Sequence, residues 1–258
     1  MAETIFSIKP LAVAFAGGVL PALVWLWFWL RQDHEKPEPK GLIALSFAAG
    51  MAVVFFVALA QKFIVAIMPA LMQGIDLLAA QFTLAAPSFE TVQAILWSFI
   101  EEFGVFATVF LVAYQSKHFD EPLDAILYLI TAALGFAAME NTLYILKDIM
   151  NGGGMTIFFD SNLRFVGATT LHIVSAAILG IAFAFAFYAR FWIQFIAGVV
   201  GILLATLLHA YFNLSIMNTY GTLNTITVFA PFWGAIIGII ILIQVVKHIK
   251  NPNEKTIL

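Results

Sequence analysis

Long apolar runs separated by short polar breaks dominate the chain. Seven of them, near 11–30, 42–61, 89–114, 123–146, 163–188, 191–217 and 226–246, hold about 20 or more mostly apolar residues each. That is the length a helix needs to bridge about 30 Å of hydrocarbon. The breaks carry charge, proline or glycine: 31–40, 115–122, and the run Asn151-Gly152-Gly153-Gly154. The stretch 62–88, with Pro69, Gly74, Asp76 and Pro87, fits three roles: an extension of the second helix, an interfacial segment, or a short eighth span. The pattern therefore predicts an all-α, polytopic transmembrane helix bundle of seven or eight spans, folded as one membrane-embedded unit over 1–258.

Composition agrees with the pattern and narrows the function classes. With 62% hydrophobic and 10% charged residues, a soluble domain of this size would leave too much apolar surface in water. A net charge of −3 and twelve scattered Lys and Arg argue against a nucleic-acid partner. The chain has no cysteine, which removes disulfides, thiolate metal sites and thiol nucleophiles. The first apolar run is expected to stay as a span rather than act as a cleaved leader. Basic residues set the expected orientation in a cell membrane. Arg31, Lys36, Lys40, Lys117, Arg190, Lys247, Lys250 and Lys255 fall on one side, and Lys9, Lys62, Lys147 and Arg164 on the other. This places the N-terminus outside and the C-terminus in the cytoplasm.

Against this apolar background a few polar residues fall inside the spans. Glu101 and Glu102 lie midway along the third, Glu140 in the fourth, His172 in the fifth and His209 in the sixth, accompanied by Asn141 and Asn213. A charge at the centre of a spanning helix costs roughly 2.5–3.5 kcal/mol, so three carboxylates represent on the order of 8–10 kcal/mol, as much as a whole domain's stability. From the expected outer ends, Glu101 lies about 18 Å deep and Glu140, His172 and His209 about 10–14 Å deep. The shared layer predicts convergence on one site in the outer half of the bilayer. His209 and Asn213 share a helix face one turn apart. On the third span the semi-polar stripe Gln93, Trp97, Glu101, Gly104, Thr108 favours Glu101 over Glu102 as the residue facing the site. Small residues such as Gly135, Gly167 and Gly180 allow close helix approach. Trp25, Trp27 and Trp29 are expected to face lipid or the interface.

Two hydrolytic chemistries suit this set. A buried glutamate can activate water while His209 and Asn213 donate to an oxyanion. Alternatively Glu101, Glu140, His172 and His209 offer the ligand types of a catalytic zinc ion with an open position for water. No His-Glu-x-x-His and no Gly-x-Ser-x-Gly occurs, and the residues alone do not choose between the two routes. A proton-coupled membrane transporter and a non-catalytic membrane scaffold also use buried Glu and His; the transporter predicts inverted repeats, and no internal repeat is evident.

Several short motifs, in order, resemble the PrsW family of intramembrane proteases: Glu101-Glu102, then Phe119-Asp120-Glu121-Pro122-Leu123-Asp124, then Gly135 to Asn141, Arg164 eight residues before His172, and His209-Ala210-Tyr211-Phe212-Asn213. The loop from Asp33 to Pro39 resembles the family's N-terminal signature. The resemblance implies a membrane endopeptidase of the wider group that includes the CAAX prenyl endopeptidases and the Abi proteins. It implies a membrane-anchored protein substrate, an anti-sigma factor among the candidates. It assigns catalysis to Glu101, Glu102, Glu140, His172, His209 and Asn213, with Asn141 and Arg164 supporting. Where the family often carries Lys three residues after the second Glu, this chain has Val105, so Arg164 either substitutes for that charge or the branch works differently.

Overall fold

The computed structural model describes the backbone of residues 8–33, 36–152, 155–219, 225–250 and 252, and the side chains of 9–33, 36–152, 167–216, 228–250 and 252. Among these residues all regular structure is helical, in seven helices: α1 (Ile8–Leu30), α2 (Lys40–Gln81), α3 (Phe89–Val112), α4 (Pro122–Met150), α5 (Met155–Ala186), α6 (Phe191–Thr219) and α7 (Thr225–Val246). Each is long and apolar enough to cross a membrane.

The three-way ambiguity over 62–88 resolves as a continuation. α2 runs unbroken through Pro69 to Gln81, 42 residues in all, or about 63 Å and roughly twice the hydrocarbon thickness. Its second half is held by a small apolar core in which Ile64 and Met68 meet Val92, flanked by Leu71, Met72, Leu96 and Trp97. No eighth span exists among the described residues. Ser88 caps α3 by accepting the Thr91 backbone N–H at 3.3 Å.

α4 is the axis of the bundle. Residues 122–138 of it are buried at every position, as expected of a helix with neighbours on every side. It packs against α1, α2 and α5, while α3 joins α2 to α6 and α5 carries α6 and α7. The α2 and α4 backbones touch: a Cβ on Gly50 would lie 2.1 Å from the Ala132 carbonyl oxygen, and one on Gly135 would lie 2.0 Å from that of Phe47. Only glycine permits so close a crossing. Trp29 departs from its expected lipid-facing place, being 1% exposed within the main core. Trp25 likewise packs half-buried against this core, whereas Trp27 is exposed, with Arg31 4.1 Å above its ring.

The N-terminal end of α4 clasps the first loop. Asp124 Oδ2 accepts the backbone N–H groups of Asp120 and Glu121, both at 2.8 Å. Tyr128 donates its hydroxyl to Glu38, and Lys36 pairs with Glu121 at 3.5 Å. Asp33 is buried beside this group. Burial, then the Glu121 carboxylate, push its carboxyl up from 3.8 to about 6. The folded protein thus holds a proton that the unfolded chain releases. The associated stability is fully present below 3.8 and is lost as pH rises through about 6. Asp33→Asn should flatten this part of the pH dependence. Melting temperatures in detergent at pH 5 and pH 8 check it: the drop from pH 5 to pH 8 should be larger for the wild type than for the variant, and equal drops would refute the assignment.

Candidate active site

About 24 Å along α4 from Asp124, the intramembrane polar residues meet. Glu101 and Glu102 are adjacent on α3 and therefore point about 100° apart, yet both reach one imidazole from α6. Glu101 Oε2 lies 3.3 Å from His209 Nε2, and Glu102 Oε1 lies 2.7 Å from His209 Nδ1. Both glutamates therefore engage this ring, and of the two it is Glu101 whose oxygen also gathers with His172 and His209. His172 on α5 sets its ring against His209 with centroids 5.2 Å apart and planes at 84°. Glu140 on α4 approaches His172 Nε2 at 3.3 Å. Glu101, Glu102, His172 and His209 are buried, while the Glu140 side chain keeps 25% exposure.

The neighbours of these groups sort into those at the centre and those that hold the helices. Phe136 packs on the His172 ring with centroids 5.1 Å apart. Asn141 donates Nδ2 to Thr169 Oγ1 at 3.3 Å and so ties α4 to α5 beside the site. Asn213 is half-buried one turn along α6 from His209. The side chain of Arg164 lies outside the described residues. Val105 is buried in the apolar core.

Gln61 was not singled out from the sequence. Its Nε2 donates to Glu101 Oε1 at 2.7 Å. It stands at the expected end of the second span, where a lone Gln reads as interfacial; the signal for it appears only once α2 continues past that point and makes position 61 mid-helix. Three hydroxyls were missed for the same reason of blandness. Ser98, Ser175 and Thr206 are buried with no hydrogen-bond partner among the described residues, and each lies one turn from a site residue: Glu101 and Glu102, His172, and His209 respectively. Buried hydroxyls without protein partners call for water or ligand.

The proton arrangement follows from the geometry. A carboxylate accepts only, so the short contact of Glu102 assigns a proton to His209 Nδ1. In the neutral ring Nε2 then presents a lone pair to Glu101 Oε2 at 3.3 Å, and two acceptors at that distance repel. A positive charge between them, a proton on Nε2 or a metal ion, removes the conflict. The donor set fits an ion: a Glu101 oxygen and one nitrogen from each of His172 and His209 lie within 4.8 Å of one another, the ligand types of a catalytic His₂Glu zinc site. Glu102 on Nδ1 is the carboxylate that commonly orients such a ligand.

Comparison with known proteins places this geometry in context. Residues 38–245 match the model of the PrsW family of intramembrane metalloproteases. Among curated proteins, the chain is similar to Protease PrsW of Geobacillus kaustophilus, 29% identical over 133 residues covering 52% of each chain. It is also similar to Protease PrsW of Clostridioides difficile, 29% identical over 53% of this chain and 52% of that one, and of Bacillus subtilis, 26% identical over 51% and 53%. The chain spans about half the length of the curated relatives it matches. No solved structure matches it.

Proposed function

Because the chain belongs to the PrsW family of intramembrane metalloproteases, we propose that it hydrolyses a peptide bond of a membrane-anchored protein within the bilayer, using Glu101, Glu102, Glu140, His172, His209 and Asn213. What carries this reading is the meeting of two adjacent carboxylates on one buried imidazole, with a second imidazole against it. Structural roles seldom gather so many ionisable groups in an apolar bundle.

Each residue has a distinct task. Glu102 is committed to His209 Nδ1 and fixes that ring. Glu101 and Glu140 then face a water molecule, and Glu101 takes its proton as the general base. His209 and Asn213 donate to the carbonyl oxygen as it gains charge, where a low dielectric makes such bonds strong. Glu140 holds His172. In the alternative, metal-dependent route Glu101, His172 and His209 would hold an ion, zinc being the candidate, which would supply Lewis-acid polarisation and a more acidic water; Glu101 and His209 would then serve as ligands in place of base and oxyanion donor. The basic-residue asymmetry favours an N-terminus outside, a cytoplasmic C-terminus and cleavage in the outer half of the bilayer, with an anti-sigma-factor-like single-span protein as a fitting substrate.

The reading is tested by comparing new protein N-termini in membranes of cells making the wild type or Glu101→Gln/Glu102→Gln at matched levels. Cleavages close to membrane spans should appear with the wild type alone. Identical profiles would overturn the proposal. Zinc binding to the purified protein supplies a separate check on the donor set: about one ion per chain for the wild type, weakened about 10–100-fold or more by His172→Ala.

A further inference from the structure

We infer that Gln61 is a positioning residue for Glu101, holding one carboxylate oxygen so that the other is presented to the reacting water or ion. The inference rests on the protease reading above and adds a residue from a fifth helix, α2, to the four that carry the expected set.

Glu101 has two oxygens with different partners. Oε1 receives the Gln61 amide N–H at 2.7 Å, and Oε2 faces His209 Nε2 at 3.3 Å. In an ionised carboxylate both oxygens only accept. The amide therefore must donate, which fixes the orientation of the Gln61 side chain. A buried carboxylate on a three-bond side chain otherwise has several rotamers open to it. Engaging Oε1 selects one of them and leaves Oε2 turned toward His209 Nε2. The bond spans forty positions of sequence, so it also ties the level of α2 to that of α3. α2 is in turn held to α4 by the glycine crossing at Gly50 and Gly135. Gln61 is thus delivered to Glu101 by the same packing that sets Glu140. Its amide is neutral, so it aligns the carboxylate without adding a charge that would compete with the imidazoles.

Two substitutions separate positioning from packing. Gln61→Leu keeps the volume and removes the donor, and should lower the rate of new N-terminus formation in membrane vesicles about 10–100-fold, the usual cost of removing an orienting partner. Gln61→Asn keeps the amide donor on a side chain one methylene shorter and should recover part of the activity and zinc affinity that Gln61→Leu loses. Zinc affinity should fall about 10–100-fold in Gln61→Leu and show no further fall when Gln61→Leu is added to Glu101→Gln. Wild-type activity and zinc affinity in Gln61→Leu would overturn the inference, as would an activity loss in Gln61→Leu that only follows lower membrane abundance. Failure of the protease reading looks different: Glu101→Gln then leaves the N-terminus profile unchanged.

Discussion

Replacing His209 by alanine is expected to produce the largest loss of activity of any single change, roughly 10²–10⁴-fold in proteolytic rate. His209 pairs with both members of the Glu101-Glu102 pair, one at each ring nitrogen. Removing it takes away the partner of Glu102 together with the ring nitrogen that serves either as oxyanion donor or as an ion ligand. It also leaves two buried carboxylates facing a cavity, and breaking a buried charge pair in this way costs about 3–5 kcal/mol. Loss of activity alone does not separate chemistry from fold, so His209→Asn and His209→Gln belong in the same experiment. A side-chain amide can still donate to Glu102 and restores much of the thermal stability, yet it lacks the second ring nitrogen. Stability near that of the wild type with proteolysis still down by more than about 10²-fold is the expected result. Equal recovery of both would remove His209 from the chemistry.

Gly135→Val should give the largest loss of stability. A Cβ at position 135 meets the Phe47 carbonyl oxygen at 2.0 Å, and the reciprocal Gly50 position meets Ala132 at 2.1 Å. Backbone cannot yield as a flexible side chain can, so α2 and α4 must separate. Overpacking costs about 1–3 kcal/mol where a core can adjust, and a clash between two backbones lies at or beyond the top of that range. Because α4 carries Glu140 and α2 carries Gln61, the displacement should lower activity even in molecules that still fold. Gly74→Ala is the matched control. Position 74 is exposed on the extended half of α2 with nothing within 4 Å of its Cβ, and there alanine should be neutral or stabilising by up to about 1 kcal/mol. Thermal unfolding in detergent separates the two substitutions, and a similar effect at both positions would show that the close crossing is not what glycine is there for.

The parts of this molecule that sequence makes legible are those where one physical cost dominates. An apolar run of about 20 residues has few alternatives to spanning, so all seven helices could be placed. A carboxylate in such a run is costly enough to demand an explanation, and Glu101, Glu102, Glu140, His172 and His209 accordingly stand out and are found together. Legibility ends where two placements cost about the same. Pro69 and Gly74 can end a helix or be absorbed by one, and it is packing of Ile64 and Met68 on Val92 that keeps α2 running. Trp29 suits an interface or a core equally well. Gln61, at an apparent helix end, carries no penalty to betray it. The clasp of Asp33, Glu38, Asp124 and Tyr128 was hidden in the same way, since charges in and beside loops need no partners and only folding brings these side chains onto α4.

The most direct test of the account is hydrolysis itself, with the purified protein in liposomes alongside a single-span protein identified from the N-terminus comparison. In ¹⁸O-labelled water the wild type should yield two fragments, the new carboxyl terminus carrying one labelled oxygen, and Glu101→Gln/Glu102→Gln should yield neither. Intact substrate under conditions where the wild type instead moves protons or solute across the liposome, in a manner that depends on the same two glutamates, would contradict the account and make the buried site a transport relay.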